Sequence, residues 1–317
     1  ARAVDLAENG DLVAGGGFSF ADGKPVNGVA RWTGISWEQF GSALPTYGIS
    51  SLAVMANGDL LATSSSYLWR WNGVNWSAMG VFNAAALTVA VLMNGDVVVG
   101  GEFSIVGTQG VKNIARWNGT GWSPLGSGTS GRVSILAATT GGEFFAGGSF
   151  IGAGGKAANR IARWNGTSWE ALGGGITSIT SPCEVLGLTV LANGHLAVAG
   201  NFTDAGGVWS PGVAMWNGAS WYSPDAPFPG ERSTTTEIVE LNNGEIVYGW
   251  LGSAETIVGH GIARWNGANW KPLGKGLGGR IVALAAMSNG SVAAAGTFAY
   301  VDQSLARGIA VWNGQSW

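Results

Sequence analysis

Aromatic and charged side chains gather in the connecting segments of the second half of the chain, where no repeated pattern requires them. They are Asp204, Trp209, Tyr222, Asp225, Phe228, Glu231, Arg232 and His260. An indole can stack on a sugar ring while nearby carboxylates hold the hydroxyl groups of that sugar. Loops on a rigid scaffold are also the usual place for binding. We therefore interpret these eight residues as a candidate ligand-binding site.

Trp209 is the strongest candidate, because the matching loops elsewhere in the chain carry no aromatic residue at this position. Two arrangements remain open. The indole is either exposed and free to bind a ligand, or folded over its own loop against Pro211. Acid–base catalysis would require the carboxylates to meet His260, and no spacing ties them together. The sequence predicts no catalytic residue and leaves an enzymatic role open.

Metal chemistry has little support in the sequence. The segments FTDAGG and FADGK lack the dense, alternating oxygen ligands of a calcium loop. One cysteine and two histidines exclude a cysteine-based zinc site and give no pattern of copper ligands. Cys183 is expected to be a small buried residue at the start of a strand. We predict no cofactor, with calcium as the alternative that stays open.

Seven copies of one short pattern supply the elements that position these residues. Two tryptophans stand five residues apart around an Asn-Gly dipeptide, with Thr-Gly in the first copy. The pairs are Trp32–Trp37, Trp71–Trp76, Trp117–Trp122, Trp164–Trp169, Trp216–Trp221, Trp265–Trp270 and Trp312–Trp317. Asn-Gly favours a tight hairpin turn, because both residues can adopt positive φ. The first tryptophan recurs every 39 to 52 residues, which is typical of repeat proteins.

Each copy also has an upstream turn, most often Asn-Gly-Asp, between two short apolar runs. A unit therefore contains four short strands. The prediction is an all-β, seven-bladed β-propeller with four antiparallel strands per blade, with residues 1–317 as a single domain. The blades span approximately 1–42, 43–80, 81–126, 127–173, 174–224, 225–274 and 275–317. We expect the tryptophan pairs to lie across two strands and to pack between blades.

Two charged columns run through the repeats. An arginine precedes the first tryptophan of five pairs, and Met215 and Val311 replace it in the other two. We expect a packed aliphatic stem at this position, with the guanidinium in solvent or over an indole; a ring of arginines that binds an anion is the alternative. An acidic residue follows the upstream turn of five units and is replaced by His195 and Ser291. We expect this acidic column to be solvated.

The repeats differ from one another in their loops. Five units keep one loop length between the second and third strands, with a phenylalanine expected to act as a structural plug. The second repeat has lost this loop, and Trp69 is expected to fill the vacated space. The loops between strands two and three and the connections between units should leave the same face, opposite the Asn-Gly turns. One face therefore has similar turns in every repeat, and the other has loops that differ from repeat to repeat.

Bulk composition limits the classes of partner. Charged residues make up 11% of the chain and the formal net charge is −3, so no basic stripe is present for nucleic acid. No apolar run approaches the ~20 residues of a membrane span, so no membrane insertion is expected within this chain. Both ends interrupt a repeat, and we interpret the chain as a processed product or a fragment of a longer protein.

The repeat GGxFxxxGGxxxNxIARWNGTSWxxLGxG resembles the kelch blade, with Gly15-Gly16, Gly100-Gly101 and Gly147-Gly148 at the glycine doublet. It is more similar to the tryptophan-rich propeller repeats of secreted bacterial surface proteins and of the fungal cortical cell-polarity marker. The resemblance covers the whole chain and transfers no catalytic motif. It implies an extracellular or cell-surface interaction module.

Three functions follow as hypotheses. The first is an extracellular or cell-surface interaction or structural module that binds a protein through its variable loops. The second is a carbohydrate-binding lectin that uses the Trp209 face or the tryptophan pairs. The third is a glycosidase or lyase acting on polysaccharides, with carboxylates of the candidate site as its acid and base. The expected partner is a protein or a glycan at a cell surface.

Overall fold

The computed structural model describes residues 1–7, 9–41, 44, 48–179, 181–224, 234–251, 261–302 and 304–317, with the backbone alone at 234–236 and 251. Over these ranges the chain forms strands and turns and no helix, which confirms the all-β prediction. The chain divides into two compact units. The first consists of residues 1–158 and 162–170, and the second of residues 159–161 and 171–317.

Four-stranded antiparallel sheets make up the first unit, each in the spatial order given. Sheet one contains β1 (Ala3–Leu6), β2 (Leu12–Gly15), β5 (Val29–Trp32) and β6 (Trp37–Gln39). Sheet two contains β7 (Ile49–Val54), β8 (Leu60–Ser64), β9 (Tyr67–Trp71) and β10 (Trp76–Val81). Sheet three contains β11 (Ala86–Val91), β12 (Val97–Gly101), β15 (Ile114–Trp117) and β16 (Trp122–Pro124). Sheet four contains β17 (Val133–Ala138), β18 (Phe144–Gly148), β21 (Ile161–Trp164) and β22 (Trp169–Ala171), whose residues 161 and 171 belong to the second unit.

Three further sheets form the described part of the second unit. Sheet five contains β24 (Glu184–Val190), β25 (Leu196–Asn201), β28 (Val213–Trp216) and β29 (Trp221–Tyr222). Sheet six contains β30 (Thr234–Glu240), β31 (Ile246–Leu251), β32 (Ile262–Trp265) and β33 (Trp270–Pro272). Sheet seven has three strands, β34 (Ile281–Ala286), β35 (Val292–Gly296) and β38 (Ile309–Trp312). The four-stranded antiparallel sheets that the sequence predicted are thereby confirmed for sheets one to six, whereas sheet seven lacks the predicted fourth strand among the described residues.

In the described part of the chain, small hairpins that the sequence does not predict join the second and third strands of five sheets. They are β3 (Phe20–Ala21) with β4 (Lys24–Pro25), β13 (Ile105–Val106) with β14 (Gln109–Gly110), β19 (Gly152–Ala153) with β20 (Lys156–Ala157), β26 (Asp204–Ala205) with β27 (Val208–Trp209), and β36 (Tyr300–Val301) with β37 (Ser304–Leu305). Strands of two residues show no alternation of apolar and polar side chains, so periodicity cannot find them. In sheet two the loop is absent as predicted, because Ser64 pairs directly with Tyr67.

The two rings of each tryptophan pair contact each other at a tilt of 39° to 65°, with ring centroids 5.0 to 5.7 Å apart. In six sheets the Nε1 of the second tryptophan also donates to a main-chain carbonyl at the end of the preceding sheet. The shortest of these bonds run from Trp169 to Leu125 and from Trp221 to Leu172, both 2.8 Å. None of the fourteen rings is exposed. The pairs therefore pack between neighbouring sheets, as predicted.

The turn chemistry differs from the prediction of two positive φ angles. In the turns between paired tryptophans only the glycine is left-handed, with φ of 90° to 99°. The asparagine keeps negative φ and closes the turn with its side chain. In the turn after Trp164, Asn165 Oδ1 accepts from the main-chain nitrogens of Thr167 and Ser168 at 3.0 and 2.9 Å. These are asparagine-closed turns, which need glycine at one position only.

Aromatic side chains fill the core at the predicted loop positions. Four phenylalanines are buried, which confirms the structural plug in four of the sequence repeats: Phe103, Phe150, Phe202 and Phe298. Phe18 is half-buried. Trp69 is buried as predicted and stacks on Tyr67 with ring centroids 5.3 Å apart. Within the described ranges, no helix has the length and apolar character needed to cross a bilayer.

Candidate functional site

Each sheet has two chemically different ends. At the turn end, Asn-Gly or related turns join the first two strands and the last two strands. At the loop end, the second strand passes to the third and the chain leaves for the next sheet. In an antiparallel meander these two ends lie opposite each other. The two faces that the sequence predicted are therefore present in each unit.

The loop end of the first unit is an ordered surface. Val106 of the hairpin β13–β14 forms a β-bridge with Phe82, which lies in the connection from the preceding sheet. Asn83 Oδ1 accepts from the main-chain nitrogens of Ser104 and Ile105, both at 2.9 Å. A second bridge joins Thr129 to the hairpin β19–β20. β-Bridges and hydrogen bonds thus hold these hairpins against the connections between the sheets.

Large apolar side chains protrude from this loop end. Phe20 is 66% exposed, Ile151 62% and Ile105 42%, each in or beside a small hairpin. Beside the hairpin β19–β20 lies a recess of about 320 Å³ that Lys112 and Lys156 help to line. Exposed apolar side chains that form a patch are a feature of surfaces that contact another macromolecule.

Trp209 lies at the loop end of the second unit with 57% of its surface exposed. It occupies β27 directly opposite Asp204 of β26, and β23 (Ile176–Thr177) adds a third strand to this hairpin. Thr203 Oγ1 donates to the Asp204 carboxylate at 2.5 Å. The exposed arrangement is the one present, and the longer connection between sheets four and five supports it by supplying β23.

The other candidate residues do not join Trp209. Tyr222 lies at the turn end, where its hydroxyl contacts Nδ1 of His195 at 2.8 Å. The proposed grouping of Tyr222 with Trp209 is therefore wrong, because the residue follows Trp221 at the start of the last strand of sheet five. The five remaining residues, Asp225, Phe228, Glu231, Arg232 and His260, lie outside the described residues. Cys183 is partly exposed rather than buried, and its main-chain oxygen accepts from Arg160 Nε at 3.1 Å.

The acidic and arginine columns form ion pairs at the turn end of five sheets. The pairs are Asp11–Arg31, Asp59–Arg70, Asp96–Arg116, Glu143–Arg163 and Glu245–Arg264. Asp59 and Asp96 are buried, each at 6% exposure. The expectation of a solvated acidic column is wrong for these two residues, because the adjacent strand brings an arginine to each carboxylate. Pairing also neutralises the arginines, which removes the basis of an anion-binding ring.

The two columns are interrupted in the same two sheets. Sheet five has His195 where the acid is expected and Met215 where the arginine is expected. Sheet seven has Ser291 and Val311 at these positions. Loss of either partner alone would leave an uncompensated charge, so both are replaced together. These paired replacements are present in the sequence, but their meaning becomes clear only when the structure shows that the acidic and arginine columns are in contact.

A groove of about 380 Å³ opens beside the altered position of sheet five. Its walls include Met215, Tyr222, Glu240, Trp265 and Asn266. Desolvation raises the pKa of the Tyr222 hydroxyl, whose oxygen lies 2.8 Å from Nδ1 of His195. Glu240 Oε2 accepts from the main-chain nitrogen of Ala192 at 2.7 Å, which ties sheet six to the upstream turn of sheet five.

Glu240 is unusual among its structural equivalents. The residue at the same register of the first strand is apolar in the other sheets: Leu6, Val54, Val91, Ala138, Val190 and Ala286. No other described sheet has a carboxylate at this register. Among the described residues, no group of three or more His, Cys, Asp or Glu side chains could hold a metal ion.

Comparison with known proteins shows the fold. No family model and no curated protein matches the chain. A streptogramin B lyase structure is similar with a TM-score of 0.63 and 13% identity, over 98% of this chain and 92% of that one. The WD40 β-propeller domain of Doa1 is similar with a TM-score of 0.61 and 14% identity, over 92% and 88%. The chain therefore has a β-propeller fold.

The similar structures include extracellular domains. The extracellular domain of a putative hybrid two-component system from B. thetaiotaomicron has a TM-score of 0.66 and 11% identity, over 98% of this chain and 38% of that one. This chain thus spans less than half of that protein's length. Identities this low transfer the fold and not the activity.

Proposed function

We propose that the protein is a seven-bladed propeller that acts as an extracellular or cell-surface interaction module and binds a protein partner through its loop end. The observation that carries this proposal is the set of exposed apolar side chains on hydrogen-bonded hairpins, represented by Phe20, Ile105 and Ile151. A preformed apolar surface loses little conformational freedom on binding. The extracellular neighbour supports the proposed location.

The test compares the two ends of the first unit. The immobilised chain is used to capture proteins from the surface fraction of cells of its source, and captured proteins are produced in pure form for binding measurements. The double variant Phe20→Ser with Ile151→Ser should weaken the binding of a specific partner at least about tenfold. The matched control is Ile35→Ser with Val74→Ser, which changes two exposed residues at the turn end (89% and 69%). A partner that responds equally to both pairs would contradict binding through the loop end.

A lectin is the second candidate, because Trp209 combines an exposed indole with an opposed carboxylate on an ordered hairpin. A glycan array with the wild type and Trp209→Ala tests it. Binding of a defined sugar that is lost in the variant would support a lectin. Absence of glycan binding in both would leave the protein-binding module as the proposal. The lyase activity named for a similar structure is not proposed for this chain, since 13% identity supports the fold alone.

A further inference from the structure

We propose that the groove in the second unit binds an organic cation, namely the guanidinium or ammonium group of an arginine or lysine side chain on a partner peptide. The groove lies at the turn end, so this site is separate from the loop-end surface of the proposed function. Its walls come from sheets five and six, and it encloses about 380 Å³. That volume exceeds what one such side chain needs.

Several departures from the repeat meet in this one place. Met215 replaces an arginine, His195 replaces an acid, and Glu240 replaces an apolar residue. Tyr222 contacts His195 and forms part of the wall. A single replacement in a repeat is compatible with drift. Changes on two sheets that converge on one groove indicate a binding role.

The groove contains a carboxylate that the equivalent position of the other described sheets lacks. In five other sheets the arginine column places a guanidinium at the turn end, bound to a carboxylate. In sheet five, His195 and Met215 replace both members of that pair, and Glu240 brings an additional carboxylate from sheet six. The described groove-lining residues include no lysine or arginine. A carboxylate accepts several hydrogen bonds, and the main-chain nitrogen of Ala192 uses one of them, so Glu240 can accept more from a ligand.

Aromatic and apolar surfaces complete the recognition of a cation. Trp265 lines the groove and is held by Trp270, with ring centroids 5.0 Å apart. An indole face attracts guanidinium and ammonium groups, and a nearby carboxylate adds to that attraction. Buried Met215 and Leu191 provide contact for the methylene stem of a long side chain. An anionic ligand is disfavoured by Glu240.

The part of the wall that Tyr222 forms is fixed before any ligand arrives. The Tyr222 hydroxyl is held by His195, and the main-chain nitrogen of His195 donates to Asn193 Oδ1 at 2.9 Å. A preorganised wall lowers the entropy lost on binding.

The first measurement is calorimetric titration of the full chain with N-acetyl-arginine amide and N-acetyl-lysine amide. Saturation in the millimolar range is expected for a single side chain. N-acetyl-citrulline amide is the matched neutral ligand, and it should bind at least about tenfold more weakly than the arginine compound. The proposal would be overturned by equal binding of the citrulline and arginine compounds, or by no saturation with either cation. Saturation in a parallel titration with monosaccharides, and with no cation, would also overturn it. This comparison needs no variant.

Variants then locate the site. Glu240→Gln should weaken arginine binding at least about tenfold, whereas Glu102→Gln, at an exposed position of the first unit, should leave it unchanged. His195→Asp with Met215→Arg rebuilds the ion pair of the other sheets and should abolish binding while the chain stays folded, as judged by its unfolding midpoint. Unchanged arginine binding in both variants would overturn the assignment to this groove. Loss of loop-end partner binding would leave these outcomes unaffected, so the two proposals fail independently.

Discussion

The buried ion pair between Asp96 and Arg116 can be dissected with substitutions that the chain itself supplies. Arg116 Nε donates to Asp96 Oδ2 at 2.6 Å, and Asn94 Nδ2 donates to the same oxygen at 2.9 Å. The side chain of Asp96 is 9% exposed and that of Arg116 is 31% exposed. Sheet seven has Ser291 and Val311 at these positions. The perturbation is therefore Asp96→Ser, Arg116→Val and the double variant.

The difference in exposure sets the expected magnitudes. Arg116→Val leaves a buried carboxylate with Asn94 as its remaining side-chain partner, and should lower the free energy of unfolding by about 2–4 kcal/mol. Asp96→Ser leaves a guanidinium that can turn toward water, and should lower it by about 1–2 kcal/mol. The double variant leaves no charge and should lose only about 1 kcal/mol. The coupling energy between the two positions is then roughly 2–5 kcal/mol.

Urea unfolding followed by tryptophan fluorescence measures all four proteins, because Trp117 and Trp122 lie next to the pair. The control is the same double-mutant cycle at Asp11 and Arg31, where Nε and Oδ2 are 3.6 Å apart and both side chains are more exposed. Coupling at that pair should be below about 1 kcal/mol. If the losses at Asp96 and Arg116 simply add, the two columns are not maintained as pairs, and the explanation of their shared interruptions is wrong.

Three further outcomes are expected from equilibrium unfolding. Trp169→Ala should cost about 3–5 kcal/mol, and Trp169→Phe less, because Phe loses only the bond to Leu125 and part of the ring. Gly101→Ala should prevent stable folding, since its Cβ would lie 2.0 Å from a main-chain oxygen, whereas Gly110→Ala has open space and should be neutral. Desolvation raises the pKa of Glu237 to about 8 from 4.5, so the contribution of this residue to stability is fully present below pH 4.5 and should fall as the pH rises through 8. Glu237→Gln should remove that fall, by at most about 5 kcal/mol at pH 9; identical pH profiles would contradict the assignment.

Repetition explains why the sheets could be predicted from the sequence. Trp164 and Trp169 flank a turn whose glycine requires positive φ, so local chemistry alone specifies their cross-strand pairing. The small hairpins could not be predicted in this way. The hairpin that holds Trp209 depends on β23, which lies in the preceding connection and is specified by tertiary pairing rather than by local pattern.

The candidate site was harder to predict than the fold, because function depends on which columns touch. Asp59 and Arg70 are eleven residues apart in sequence, and no local rule distinguishes a solvated acid from a paired one. Tyr222 was assigned to the wrong end because its neighbour Trp221 belongs to the repeat and its own side chain does not. Strand register decides both questions, and register is observed only in the structure.

Once register is known, the repeats serve as an alignment inside a single chain. Both interruptions of the ion-pair columns remove the acid and the arginine together, as the stability argument requires. In sheet seven the replacements are small and neutral, and Ser291 is buried at 5% exposure, so repacking explains them fully. Sheet five instead gains His195 and an aligned tyrosine, and sheet six adds Glu240 at a register that is apolar in the other sheets. Small neutral residues such as Ser291 and Val311 would have been sufficient for stability in sheet five as well. The additional polar groups beside the groove therefore need a different explanation, and a ligand that contacts them provides one.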